Sequence, residues 1–95
     1  VYALWQVRES VASDPRITRL HRRFLAARDA LPSAAPALAR AASPRFGMPA
    51  DRLAAYWRSV RYRLDDRLLA GLRRFYTLAA EAGLLGCIPE VRLLG

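Results

Sequence analysis

Asp65 and Asp66 are the one pair of adjacent carboxylates in this 95-residue chain. Two carboxyls in different surroundings can divide general acid and general base work between them. These two stand directly before the run Leu68, Leu69, Leu72. An aspartate there accepts a hydrogen bond from a first-turn N–H, so a helix cap formed by Asp65 or Asp66 is the preferred reading. His21 is the single histidine and sits between Leu20 and Arg22. It reads as a surface or boundary residue rather than a proton shuttle. Cys87 is the single cysteine, far from His21, so neither a disulfide framework nor a zinc set can be assembled. Ser10, Ser13, Ser33, Ser43 and Ser59 have no acid–base partner at a recognisable spacing, and no nucleophile elbow is present. The phosphate-loop pattern is absent as well, and Gly83 and Gly86 read as a helix terminus. Tyr56 and Trp57 could stack on a ligand ring. With Leu53 and Val60 they fall at i, i+3, i+4 and i+7, which marks a buried helix face. No residue is therefore assigned a catalytic, cofactor-binding or metal role.

The elements that would carry these residues follow from period and punctuation. Val1–Val7 (VYALWQV) is apolar and aromatic with little polar alternation, the pattern of a strand over about 1–7 that is buried on both faces. Ser13 or Asp14 with Pro15 opens a helix over about 15–31, carried by Ile17, Leu20, Phe24, Ala27 and Leu31 and stopped by Pro32. Ser33 caps a second, alanine-rich helix over about 34–43, with Pro36 in its first turn. Phe46-Gly47-Met48 reads as a turn. Pro49 then opens a third helix over about 49–61, with Asp51 favourably placed against the macrodipole. The fourth covers about 66–82, with a stripe of Leu68, Leu69, Leu72, Phe75, Tyr76 and Ala79. Gly83 suits the left-handed position after it, and Leu84 is placed to pack back on the last turn. Pro89 blocks continuation, and Glu90–Leu94 reads as a short strand over about 90–94.

Composition narrows the classes. A hydrophobic fraction of 54% excludes a disordered chain. No apolar run reaches the roughly 20 residues of a membrane helix, and no basic-then-apolar leader opens the chain. One cysteine fits a reducing, cytoplasmic setting. The formal charge is +8, from sixteen arginines and no lysine against eight acids. The arginines are spread along the segments and mixed with acids, as in Arg63, Asp65, Asp66 and Arg67. That pattern reads as a solvated surface rather than a nucleic-acid face.

Three segments together resemble one family. VYALW at Val1–Trp5 looks like the strand that follows a Pro-Phe pair in chorismate dehydratases of the futalosine route to menaquinone. Leu53–Leu85 is similar to the late region of those enzymes: a tyrosine-bearing helix, an extended link, a Gly-Leu and Phe pair on the next helix, and a Gly-Leu helix end. Here these are Tyr56, Tyr62, Gly71-Leu72, Phe75 and Ala82-Gly83-Leu84. Pro89-Glu90-Val91-Arg92-Leu93 resembles their closing strand, with Val91 and Leu93 departing mildly from its pattern.

The resemblance spans the whole chain but only the C-terminal third or so of a family member. It implies an α/β, two-lobed fold like the type II periplasmic binding proteins, of which residues 1–95 would be the mostly helical closing part of lobe one, with a strand at each end. It implies a cofactor-free lyase that removes water from chorismate to give 3-enolpyruvylbenzoate, with substrate contacts elsewhere in a longer protein. Tyr2, near the crossover, is the only position here worth watching, with strand packing its preferred role. A sister enzyme of the same pathway, 1,4-dihydroxy-6-naphthoate synthase, is the alternative. A small arginine-rich module binding nucleic acid is a third reading. Partners are thus expected to be the small-molecule substrate, not nucleic acid or membrane. The start at Val1 suggests a piece of a longer polypeptide. The segment alone should fold poorly, because its two strands would expose unpaired edges.

Overall fold

The computed structural model describes residues 3–94. In order these form a short 3₁₀ turn at Glu9–Val11 and three α-helices: α1 (Pro15–Phe46), α2 (Ala50–Ser59) and α3 (Asp66–Glu81). They fall into two compact units. One is the continuous stretch Pro15–Tyr62. The other joins the described residues up to Asp14 with those from Arg63 onward.

The α/β expectation is overturned. No strand occurs among the described residues; residues 3–7 and 90–94 run without a ladder. Their composition favours extended backbone, but a strand exists only through hydrogen bonds to a neighbour, and none pairs with either segment here. The α/β, two-lobed fold that the resemblance implied, with a strand at each end, is therefore not what the described residues form, and the exposed-edge argument for poor folding goes with the strands. Tyr2 and the first residue of the proposed opening strand lie outside the described residues. An ion pair links the two ends of this unit. Arg92 Nη1 donates to Glu9 Oε1 at 2.8 Å, and Glu90 lies 3.7 Å from the same guanidinium. Both partners are largely exposed, so the pair adds little stability.

The second correction concerns Pro32. Helices over 15–31 and 34–43 were expected; α1 instead runs unbroken for 32 residues with Pro32, Pro36 and Pro44 inside it. Each interior proline removes one N–H donor and costs about 3 kcal/mol relative to alanine. Two observations offset this. Nine alanines lie between positions 26 and 42, the residue type with the highest helix propensity. The C-terminal part of α1 also packs on α2, with Ala39 at 0% exposure against Leu53 and Ala54. Ala42, Met48, Ala50 and Trp57 flank that small core. Alanines let the two helix backbones approach closely. The cost is a thin core: among the described residues of the Pro15–Tyr62 unit, Ala35, Ala39, Leu53 and Ala54 are the buried hydrophobic ones.

Helix ends are closed locally. Gly47 at φ 57° and Gly83 at φ 75° take the left-handed conformation that side chains resist. After α3, Gly83 N–H donates to the Ala80 carbonyl and Leu84 N–H to the Ala79 carbonyl, a complete Schellman closure. The Leu84 side chain does not pack back, however; it is 79% exposed. At its start, α3 is capped by Asp65, whose Oδ1 accepts from Leu68 N–H at 2.8 Å. Pro49 precedes α2 rather than opening it; the helix begins at Ala50 and ends at Ser59.

Candidate functional site

The residues with chemistry in their side chains do not converge. Asp65 is committed to the α3 cap, and Asp66 stands in that helix's first turn, where a carboxylate complements the macrodipole. His21 is half-buried on α1. Cys87 is exposed. Three of the serines bond backbone carbonyls: Ser33 Oγ donates to Ala30 at 3.1 Å, Ser43 Oγ to Met48 at 2.6 Å and Ser59 Oγ to Tyr56 at 2.6 Å. Ser43 and Ser59 thereby close helix ends, while Ser33 lies inside α1 and bonds back onto the preceding turn. No group of three or more His, Cys, Asp or Glu that could hold a metal occurs among the described residues. Among the described residues no helix is long and apolar enough to cross a membrane.

The aromatic positions divide differently from the spacing argument. Trp57 is half-buried beside the Leu53–Ala54 core, whereas Tyr56 is 59% exposed. A ten-residue helix facing one partner buries a narrow stripe. Leu53, Ala54 and Trp57 fill it, and Tyr56, one step around, turns outward. On α3 the stripe is likewise narrower than expected. Leu72 is buried and Leu68, Leu69, Tyr76 and Ala79 are half-buried, but Phe75 is exposed, with its ring 6.0 Å from that of Tyr76.

The concave feature of the Pro15–Tyr62 unit is an open groove of about 460 Å³. Leu31, Leu38, Ala42 and Arg45 recur along one side of α1, and Trp57 and Tyr62 form the opposite wall. Apart from Arg45 and the Tyr62 hydroxyl, its lining side chains are hydrocarbon or indole. Arg45 lies in the last turn of α1. Its guanidinium carbon sits 5.6 Å from the centre of the Phe46 ring, a cation–π arrangement. Sequence reasoning missed this groove. Its signal is the spacing Leu31, Leu38, Ala42, Arg45, which becomes one stripe only once α1 continues through Pro32.

Charge is also distributed more sharply than the even spread of arginines suggests. The Pro15–Tyr62 unit holds ten arginines against Asp29 and Asp51, a formal +8; the remainder holds six arginines against six acids, a formal zero. The whole excess belongs to one unit. Of its arginines, Arg28 is paired, its Nε donating to Asp29 at 2.9 Å.

Among comparisons with known proteins, the model of a family described as menaquinone biosynthesis matches residues 1–81. No curated protein and no solved structure matches the chain.

Proposed function

The chain belongs to the menaquinone biosynthesis family, and from that membership we propose that it serves a chorismate dehydratase-like lyase, the enzyme that removes water from chorismate to give 3-enolpyruvylbenzoate. The family match over residues 1–81 carries the reading. The late segment Leu53–Leu85 supports the choice of step, through Tyr56, Tyr62, Gly71-Leu72, Phe75 and Gly83-Leu84. No catalytic role is assigned to any residue of this chain. Asp65 is spent on a helix cap and Ser43 on a helix end. The proposed reaction needs no cofactor, and a cytoplasmic location suits its soluble substrate.

The sister activity, 1,4-dihydroxy-6-naphthoate synthesis, belongs to the same pathway but acts after the dehydration. A bypass separates the two. In the source organism with this gene deleted, added 3-enolpyruvylbenzoate restores menaquinone if the missing step is the dehydration. If menaquinone returns only with 1,4-dihydroxy-6-naphthoate, the dehydratase assignment is wrong.

A second reading has one observation in its favour. The segregated +8 of the Pro15–Tyr62 unit is what a phosphate-binding surface requires. A gel-shift assay at low salt decides it: binding that falls steeply as salt rises supports a nucleic-acid partner, and no shift removes it.

A further inference from the structure

The geometry points to the groove on the Pro15–Tyr62 unit as a binding site for an elongated amphiphile, an unbranched hydrocarbon chain ending in a single carboxylate. Leu31, Leu38, Ala42 and Arg45 lie at i, i+7, i+11 and i+14 on one continuous helix. At about 1.5 Å per residue that stripe is roughly 21 Å long. The groove is thus a channel along a helix rather than a pit, which suits a chain better than a ring.

Apart from the Tyr62 hydroxyl and the Trp57 indole N–H the lining is apolar, and its one charged group stands at one end of the stripe. There Arg45 presents a guanidinium that makes no ion pair among the described residues. Packed over the Phe46 ring, it has its orientation partly set before any ligand arrives. An arginine fork matches a carboxylate in a bidentate manner. A ligand with one anionic end and a long apolar body satisfies both features. A neutral chain leaves the guanidinium unused, and a compact dianion leaves most of the channel unfilled. The site is independent of the dehydration reaction and assigns it no residue.

Dodecanoate, below its micelle concentration, is the probe to use, with the full-length protein. The readouts are the indole N–H resonance of Trp57 and the methyl resonances of Leu31 and Leu38. Trp5 is 85% exposed and not part of the groove, so its indole serves as the internal reference. Saturable shifts at Trp57, Leu31 and Leu38 with Trp5 unmoved are expected. Dodecanol should bind about fivefold more weakly than dodecanoate, and Arg45→Gln should remove that preference. Arg40→Gln, an equal loss of charge at a residue that does not line the groove, should leave it in place. Leu38→Glu is placed on a half-exposed position so that folding survives, and it should abolish dodecanoate shifts by putting like charge in the channel. Three results each overturn the proposal: Trp57 unmoved at saturating probe, Trp5 shifting in parallel with Trp57, or Arg40→Gln weakening dodecanoate as much as Arg45→Gln.

Discussion

Ser43 and Met48 are joined twice across the end of α1: the Ser43 hydroxyl donates to the Met48 carbonyl at 2.6 Å, and the Met48 N–H donates to the Ser43 carbonyl at 3.4 Å. Gly47 between them supplies the left-handed backbone that makes the second bond possible. This double link turns the chain from α1 into α2 and so sets the Ala39–Leu53–Ala54 core and the groove beside it. Ser43→Ala should cost about 1 kcal/mol, the net value of one such bond. Urea unfolding of the full-length protein measures it; a midpoint equal to wild type would show that the hydroxyl is not part of the closure.

Gly47 and Gly86 separate backbone strain from side-chain crowding. A Cβ at either position meets no atom within 4 Å, but only Gly47 has a positive φ. Gly47→Ala should therefore destabilise by about 1–2 kcal/mol, while Gly86→Ala should be near neutral. Equal losses in both variants would refute the turn geometry.

Asp65 distinguishes a cap from a catalytic carboxylate. Asparagine caps a helix about as well as aspartate but cannot serve as an acid or a base. Asp65→Asn should keep both stability and pathway activity, whereas Asp65→Ala should lose about 1 kcal/mol of stability. A large fall in turnover for the asparagine variant, with unfolding unchanged, would restore Asp65 as a candidate for chemistry.

The prolines of α1 give the opposite sign. Pro32 is exposed and removes a helix hydrogen bond, so Pro32→Ala should stabilise the protein, by up to about 3 kcal/mol. Far-ultraviolet circular dichroism should show no loss of helix. A destabilised Pro32→Ala would mean that the ring itself makes a needed contact.

These outcomes follow the division between what the residues state locally and what they do not. Asp65, Gly83 and the extent of α3 were legible because a cap, a left-handed glycine and a leucine stripe act within one or two turns. The continuity of α1 was not. Pro32 taken alone ends a helix, and the packing of Ala39 and Ala42 on Leu53 and Ala54 lies many residues away. The strands failed for the same reason in reverse. VYALWQV and EVRLL have strand composition, but pairing depends on a partner, and what the second segment provides is the side chain of Arg92 on Glu9. The groove was hidden behind the error at Pro32, since Leu31 and Arg45 were read as belonging to separate segments.

The dehydration itself is the most direct test. The full-length protein is incubated with chorismate and the mixture is resolved by liquid chromatography with mass detection. Chorismate should be lost, and a product lighter by one water that co-elutes with 3-enolpyruvylbenzoate should grow in. Chorismate persisting at the level of an enzyme-free control would contradict it.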